Sequence, residues 1–407
     1  MWSGLLDRLL TGLIRQGELL VTYPDGRLRR YGSGTPRVAL RFTDPALPRK
    51  LVLRPDLSLG EAYMDGNVEI EGDDLRGLLG LLMMNLETQP ENWRDRLLHL
   101  RTWLHPLDQF NPMSRARRNV AHHYDLSGEL YDLFLDEDRQ YSCAYFADPS
   151  MTLEEAQRAK KAHIANKLLL EPGMTVLDIG CGWGGLGLTL ARDYGARVVG
   201  VTLSEEQHKV ATRRAKEAGL SDRVEFRLCD YRTVTETFDR VVSVGMFEHV
   251  GVPHYREYFS AVHDRLAPDG VALIHTIGRV TPPGSTSPWI LKYIFPGGYV
   301  PALSEMMSAV EKNALWSTDI EVWRMHYAYT LRHWHDRFVA KQDKAKALYD
   351  DRFCRMWRYY LIASEMSFRH YGQCVFQVQL ARRQEAVPLT RTYLYPPEIQ
   401  MASRAAK

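Results

Sequence analysis

Apolar residues near the start of the chain change from a helical spacing to a strand spacing. Within residues 1 to about 20 they recur every three or four positions, which predicts an amphipathic helix. Residues 19–23 then alternate before a turn triplet at 24–26, and residues 38–42 repeat the period of two. A second helix is predicted from about residue 74 to 86. The first stretch is therefore expected to form a small α+β unit.

A different pattern begins near residue 174, where buried strand segments alternate with helical segments. Such alternation predicts an α/β fold with a doubly wound parallel sheet. We accordingly expect a smaller N-terminal α+β domain with a basic linker at 1–110 and the α/β domain at 111–407, with an aromatic-rich insertion at about 279–360. The predicted strands are 175–180, 197–203, 223–229, 238–244 and 270–278, with one more at 377–380.

The segment from Glu91 to Asn119 combines six arginines and three acidic residues with Trp93 and Trp103. Basic side chains beside indole rings suit an anionic lipid surface, so this segment could touch a membrane. The alternative is a solvated linker helix whose tryptophans pack on a neighbouring domain. Nucleic acid is a poor third choice because the basic run is short.

Composition narrows the possible classes of protein. The chain has 407 residues, a net charge of +2, 45% hydrophobic and 25% charged residues, which predicts folded domains and argues against disorder or a generally nucleic-acid-binding surface. No apolar run approaches the roughly 18 residues of a spanning helix, so any membrane contact is expected to be peripheral. Five cysteines without a CxxC pair indicate neither a disulfide framework nor a metal site, and favour a cytoplasmic location.

A glycine-rich turn follows the first strand of the predicted sheet, in the sequence Val176-Leu177-Asp178-Ile179-Gly180-Cys181-Gly182-Trp183-Gly184-Gly185. Glycines at these positions allow positive φ and a close approach of a nucleotide to bare backbone. Because the acid lies within the motif, the turn resembles the S-adenosylmethionine turn of class I methyltransferases rather than a dinucleotide fingerprint. A tight strand-to-helix connection without a ligand is the alternative.

Further motifs resemble the cyclopropane-fatty-acyl-phospholipid synthases, which are related to the mycolic acid cyclopropane synthases. The resemblance extends over nearly the whole chain, and residues 60–66 are similar to the N-terminal domain of the phospholipid-acting branch. It implies a cofactor site formed by Tyr141, Ser142, Asp178, Gly180, Gly182, Trp183, Gly184, Thr202, Leu203, Gln207, Asp230, Tyr231 and Arg232. The motifs are His123-Tyr124-Asp125-Leu126-Ser127, Gln140-Tyr141-Ser142-Cys143-Ala144-Tyr145-Phe146, Met246-Phe247-Glu248-His249-Val250, His275-Thr276-Ile277-Gly278 and Tyr327-Ala328-Tyr329-Thr330-Leu331.

The resemblance also implies a reaction. The family transfers the sulfonium methyl group of S-adenosylmethionine to a cis double bond of a phospholipid acyl chain, and a bound bicarbonate then removes a proton to close the ring. The residues implied to hold bicarbonate are Cys143, Glu248, His275, Ile277 and Tyr327, with Glu248 accepting a hydrogen bond, His275 and Tyr327 donating, and Cys143 and Ile277 contributing backbone atoms. Aromatic rings that could stabilise the cation are Tyr145, Phe146, Tyr299 and Trp316.

Other interpretations remain open at this point. Glu248 could cap a helix, His275 could be a buried structural histidine, Cys143 could fill the core and Tyr327 could be one aromatic among many. The product could be a methyl- or methylene-branched chain, or the protein could be a silent lipid-binding relative. Expected partners are membrane phospholipid at the inner face of the cytoplasmic membrane and, for the subunit number, either a single chain or a homodimer.

Overall fold

The computed structural model describes residues 1–87 and 127–395. Its N-terminal unit has a four-stranded sheet in the order β2-β1-β3-β4, in which β1 is parallel to β3 and antiparallel to β2. The basic segment at 91–119 and the expected domain boundary near residue 110 lie outside the described residues. The elements of this unit are α1 (Trp2–Leu13), β1 (Gly17–Thr22), β2 (Leu28–Ser33), β3 (Arg37–Phe42), α2 (Leu47–Leu53), α3 (Pro55–Met64), β4 (Val68–Ile70) and α4 (Leu75–Glu87).

Helix α1 is shorter than its apolar pattern predicts, because Gly17 begins β1 with a φ of +76°. A side chain on Gly17 would lie 2.7 Å from the carbonyl oxygen of Pro36, so the strand pairing needs glycine there. Strand β2 was not predicted. Only its Tyr31 is buried, so the strand lacks the alternation that reveals β1 and β3.

The second sheet has the order β10-β11-β9-β8-β5-β6-β7, and its β5 to β9 pairs are parallel. Strand β11 runs antiparallel between β9 and β10. This arrangement confirms the predicted doubly wound α/β fold. The strands are β5 (Thr175–Ile179), β6 (Arg197–Thr202), β7 (Val224–Leu228), β8 (Phe238–Val244), β9 (Leu266–Arg279), β10 (Trp316–Trp323) and β11 (Gln373–Ala381).

Helices cover both faces of this sheet and fill the insertion between β9 and β11. The insertion extends past the predicted end at residue 360, because its last helix continues to His370. It also contains β10, which the sequence did not predict and of which only Asp319 and Trp323 are buried. The helices are α5 (Gly128–Phe134), α6 (Leu153–Lys167), α7 (Gly185–Tyr194), α8 (Glu205–Glu217), α9 (Tyr255–Arg265), α10 (Pro288–Tyr293), α11 (Leu303–Glu311), α12 (His326–Ala340), α13 (Gln342–Leu348) and α14 (Asp351–His370).

Strand β5 is the switch point of the sheet, since the chain leaves it toward β6 on one side and later returns to β8 on the other. Ligands of open α/β sheets bind at the carboxyl ends of the strands beside such a point. A ligand is therefore expected to bind at the loops that follow β5, β6, β7 and β8.

The N-terminal unit packs against the insertion through the segment 60–66. Gly60 lies so close to Trp289 that an added Cβ would be 2.4 Å from its ring, and Glu61 accepts hydrogen bonds from Lys292 at 2.6 Å and Tyr293 at 2.8 Å. Asp65 pairs with Arg352 at 2.8 Å. This motif therefore forms an interface between the unit and the insertion. Within residues 1–87 and 127–395, no helix has the length and apolar character needed to cross a bilayer.

Candidate active site

A cavity opens at the carboxyl ends of β5 to β8, beside the switch point. Of the residues predicted to bind the cofactor, all but Gly184 line it. The cavity also includes residues that the sequence did not point to, among them Lys160 and the turn after β8. The predicted residues on its wall are Tyr141, Ser142, Asp178, Gly180, Gly182, Trp183, Thr202, Leu203, Gln207, Asp230, Tyr231 and Arg232.

The three glycines of the turn have different tasks. Gly182 has a φ of +53° and nothing within 4 Å of the position a Cβ would take, so it leaves the cavity open. A Cβ on Gly180 would lie 2.9 Å from Met246, and one on Gly184 would lie 2.7 Å from Phe226. Gly184 is not on the cavity wall: it is the N-cap residue of α7, and its lack of a side chain lets this helix pack closely on the sheet. Its contact with the cofactor stays a prediction.

Asp178 is the penultimate residue of β5 and lines the cavity. Its Oδ2 is buried without a hydrogen-bond partner, and burial raises the pKa of the carboxyl group to about 7. An orphaned acceptor on a cavity wall suits a cationic ligand. S-adenosylmethionine, with its ammonium and sulfonium groups, fits that requirement.

The loops after β6 and β7 supply polar side chains that are already held in place. Thr202 Oγ1 lies 3.0 Å from Gln207 Oε1, and Arg232 forms a bidentate pair with Asp230 at 2.9 and 2.8 Å. Tyr231 packs edge-on against Tyr258. Fixed side chains of this kind can bind the ribose and base of a nucleoside with little further ordering.

Glu248 occupies the turn after β8, next to cavity residues Met246 and His249. Its Oε1 accepts a hydrogen bond from the amide of Ile277 at 2.6 Å, while its Oε2 is buried and accepts no hydrogen bond of good geometry. Burial raises the pKa of this carboxyl group to about 7. The hydroxyl group of Thr276 is close enough to act against this rise in the pKa. The expectation that Ile277 offers its backbone to an anion is corrected for the amide, which instead orients Glu248.

His275 precedes Ile277 by two residues, so both side chains lie on the same face of β9. The ring is buried, and burial holds its pKa well below the ordinary value, so the imidazole is neutral. Its Nδ1 lies 3.1 Å from Nε2 of Gln377, which can only donate, so the proton of His275 is assigned to Nε2. His275 is thereby set as a hydrogen-bond donor.

Cys143 and Tyr327 belong to one buried cluster, against which Ile277 also packs. Burial raises the pKa of the Cys143 thiol, so it stays protonated, and its Sγ lies 3.4 Å from the carbonyl oxygen of Ala144. Tyr327 lies on α12 with its ring against Trp334 and Phe368. A hydrogen bond thus joins Glu248 to Ile277, and Ile277 packs against the large buried cluster that also contains Cys143 and Tyr327.

The aromatic residues that could stabilise a cation lie in different environments. Tyr145 is stacked between His163 and His326 at centroid distances of 4.6 and 5.0 Å. The backbone amide of Tyr299 donates a hydrogen bond to the carbonyl oxygen of Glu248 at 2.9 Å, which stabilises the turn that contains Glu248. Trp316 is 52% exposed at the sheet edge, which removes it as a ring that could face a buried cation.

Several site residues were missed. Lys160 is buried in α6 and lines the cavity, Tyr360 hydrogen-bonds Tyr141 at 2.9 Å, and Gln377 orients His275. Two consecutive lysines on a polar helix usually face solvent, so the sequence gave no sign that Lys160 is buried. Gln377 could have been suspected as a polar residue within an otherwise apolar strand.

Comparison with known proteins identifies the family. The family described as mycolic acid cyclopropane synthetase matches residues 112–378. The chain belongs to this family. The resemblance predicted from the motifs is therefore confirmed, and the protein is an S-adenosylmethionine-dependent transferase of the mycolic acid cyclopropane synthetase family. A second family, described as a domain of unknown function, matches residues 6–90.

The sequence matches to two curated relatives cover most of the chain. The cyclopropane-fatty-acyl-phospholipid synthase of Escherichia coli K12 is 40% identical over 356 residues, which is 86% of this chain and 89% of that protein. The tuberculostearic acid methyltransferase of Mycobacterium tuberculosis is 37% identical over 402 residues, which is 93% of this chain and 91% of that protein.

Solved structures agree with the fold. Mycolic acid cyclopropane synthase CmaA1, complexed with SAH and CTAB, has a TM-score of 0.63 and 35% identity, and the match covers 67% of this chain and 99% of that one. The cyclopropane synthase MmaA2 of Mycobacterium tuberculosis gives a TM-score of 0.63 at 34% identity, with 67% and 99% covered.

Proposed function

We propose that the protein converts a cis double bond in an acyl chain of a membrane phospholipid into a cyclopropane ring, with bicarbonate as the base. The observation that carries this proposal is the buried Oε2 of Glu248, an acceptor without a partner in the turn that borders the cofactor cavity. An unsatisfied buried carboxylate oxygen is costly unless a ligand completes it.

The residues around Glu248 suit an anion that both donates and accepts hydrogen bonds. Glu248 would accept from the O–H of bicarbonate, His275 would donate through Nε2 and Tyr327 through its hydroxyl group. Bound bicarbonate supplies a base small enough to share a closed site with an acyl chain. Burial of Cys143, Glu248 and His275 excludes water that would otherwise trap a carbocation.

The bonds that form and break in the proposed reaction follow from the chemistry of an alkene. The π electrons of the double bond form a bond to the methyl carbon while the carbon–sulfur bond breaks toward sulfur. The resulting cation loses a proton from that methyl group as the ring closes, so the chain gains one CH₂. The protein's task is to align methyl group and double bond and to hold the base beside them.

The surface of the N-terminal unit supports the proposal that the substrate is a phospholipid within a membrane. This unit packs on the insertion through Gly60, Glu61 and Asp65, and its exposed surface includes Leu5 on α1 and Leu53 on α2. Arg49, on α2, lies over the ring of Trp2, on α1. Apolar and basic groups together favour peripheral contact with anionic lipid at the inner face of the cytoplasmic membrane.

A methyl- or methylene-branched product is the second candidate, because the tuberculostearic acid methyltransferase matches 93% of the chain at 37% identity. The product depends on which carbon loses the proton. Both routes start with the same methyl transfer, so cofactor binding cannot separate them.

The decisive experiment is expression in a host that lacks its own enzyme, followed by gas chromatography and mass spectrometry of the derivatised fatty acids. We expect saturated chains that carry one additional CH₂ as a ring, with an empty-vector strain as control. A branched alkene of the same mass would favour the second candidate. Unchanged monounsaturated chains, together with failure to bind S-adenosylmethionine in calorimetry, would indicate a silent lipid-binding protein.

A further inference from the structure

Helix α6 buries three lysines, and one of them differs from the other two. Lys161 pairs with Asp138, and Lys167 pairs with Glu321 at 2.6 Å. The Nζ of Lys160 instead donates to two neutral groups, Gln140 Oε1 at 2.8 Å and Ser142 Oγ at 2.9 Å. No carboxylate of residues 1–87 or 127–395 lies within ion-pair distance of it. A fully buried ammonium group without a counter-ion is expensive and usually serves a purpose.

Lys160 contacts both the cofactor cavity and the segment that contains Cys143, one of the residues proposed to hold bicarbonate. It lines the cavity directly, and its acceptor Ser142 immediately precedes Cys143 in the chain. The charge of Lys160 also acts on Asp178 from the cofactor side and on Cys143 and His275 from the other. Its position thus couples it to both halves of the site.

The residues proposed to hold bicarbonate contain no cation of their own. His275 is neutral, and Glu248 becomes a second negative charge when it ionises. The arginines on the cavity wall are already paired, Arg232 with Asp230 at 2.8 Å and Arg139 with Asp132 at 2.5 Å. A buried anion would therefore lack compensation unless Lys160 supplied it.

We propose that Lys160 is the positioning residue that supplies the positive charge for the bicarbonate site and thereby sets the affinity for the anion. This inference rests on the proposed function, since it assumes that bicarbonate binds beside Glu248. The alternatives are that Lys160 only holds the segment 140–143 in place, or that it serves the carboxylate of the cofactor. These three roles predict different binding measurements.

The experiment measures equilibrium binding of ¹⁴C-labelled bicarbonate in the presence of S-adenosylhomocysteine, so that no turnover is required. Lys160→Met removes the charge and keeps an unbranched side chain, and Lys160→Arg keeps the charge. Lys161→Met is the matched control, because Lys161 is also buried on α6 and Asp138 retains its pairing with Arg214. Calorimetry with S-adenosylmethionine and thermal unfolding accompany each variant.

We expect Lys160→Met to weaken bicarbonate binding at least tenfold. The affinity for S-adenosylmethionine should change by a smaller factor, which reflects the loss of the Lys160 charge beside Asp178. Lys160→Arg should restore most of the bicarbonate affinity, and Lys161→Met should bind bicarbonate within threefold of the wild type. Equal bicarbonate affinity in wild type and Lys160→Met would overturn the inference while leaving bicarbonate as the base. Loss of cofactor affinity alone would assign Lys160 to the cofactor.

A measurement on the wild type covers the case in which Lys160→Met does not fold. Burial lowers the pKa of Lys160 to about 8, so bicarbonate affinity should fall as the pH rises through about 8 at constant bicarbonate concentration. This decrease should be absent from Lys160→Arg. The change in bicarbonate affinity that accompanies ionisation of Glu248 near pH 7 should remain in that variant. The titratable groups facing Lys160 are Asp136, Asp138, Lys161, Cys143, Asp178 and His275.

Two outcomes separate the inference from the proposal beneath it. If the wild type binds no bicarbonate, both the base and the role of Lys160 are overturned. If the wild type binds bicarbonate but shows the same decrease near pH 8 as Lys160→Arg, only the role of Lys160 is overturned.

Discussion

The cofactor cavity borders the residues proposed to hold bicarbonate (the bicarbonate residues), but the two are built in different ways. The cavity consists mainly of loops that follow β5, β6 and β7, three consecutive strands of one sheet. The bicarbonate residues come from a loop before α6, the turn after β8, strand β9 and helix α12. The first half is a direct consequence of the fold, whereas the second depends on packing between segments that are far apart in the sequence.

The two halves nevertheless contain similar acids. Asp178 and Glu248 each bury one carboxylate oxygen without a partner, and burial raises both pKa values to about 7. They differ in what they face, because Asp178 lines the cofactor cavity and Glu248 is tied to Ile277. Neutral isosteres of the two acids should therefore impair different steps: Asp178→Asn the binding of the cofactor, and Glu248→Gln the turnover.

The largest effect is expected for Glu248→Gln. The amide cannot provide the carboxylate acceptor for bicarbonate, so turnover should fall at least about 100-fold, the scale for loss of a positioned acid–base element. The affinity for S-adenosylmethionine should stay within about threefold of the wild type, because Glu248 does not line the cavity. Single-turnover assays with phospholipid vesicles and calorimetry with the cofactor measure the two quantities.

Glu311→Gln, a substitution at an exposed position near the end of α11, is the control for Glu248→Gln. Turnover above about a tenth of the wild-type rate in Glu248→Gln would remove this carboxylate from the proposed chemistry. A parallel loss of cofactor affinity would show that the two halves are not separable.

The next effect distinguishes two glycines within the cofactor half. In Gly184→Ala the new methyl group would meet Phe226 at 2.7 Å and Ala211 at 2.9 Å, so we expect a loss of about 2 kcal/mol in the free energy of unfolding. Both glycines have a positive φ, +53° at Gly182 and +83° at Gly184, so alanine adds backbone strain of about 1 kcal/mol at either position. In Gly182→Ala the methyl group meets nothing within 4 Å of protein, so the loss of stability should be limited to this strain and the main effect should be on cofactor affinity. Denaturant unfolding and cofactor calorimetry compare the pair, and equal losses of stability would contradict the division of tasks.

The fold was predictable from the sequence where local patterns reflect burial. Strand β8 was predicted with its observed bounds, and β5 to β7 within one or two residues, because buried parallel strands appear as continuous apolar runs. Strands β2 and β10 were missed, since each buries only one or two side chains and faces solvent elsewhere. Edge strands of this kind carry little periodic signal.

The site was predictable to different extents in its two halves. The glycine turn predicted the position of the cavity, but glycine spacing does not reveal which face each Cα presents, so it could not show that Gly184 faces Phe226. The bicarbonate residues came only from family resemblance, because no spacing relates Cys143 to Tyr327. Lys160 and Gln377 escaped notice, since their importance lies in contacts between distant segments.

The smallest of these effects is expected for Asp178→Asn, which tests the cofactor side. Loss of the negative charge from the wall should weaken binding of S-adenosylmethionine at least about tenfold, and should leave bicarbonate binding within about threefold. In the wild type the carboxyl group protonates as the pH falls below about 7, so cofactor affinity should decrease toward acidic pH and this dependence should vanish in Asp178→Asn. Asp193→Asn, on the surface of α7, is the control. Unchanged affinity in Asp178→Asn would mean that backbone and aromatic contacts alone hold the cofactor, and a larger effect on bicarbonate than on cofactor would reverse the assignment of the two acids.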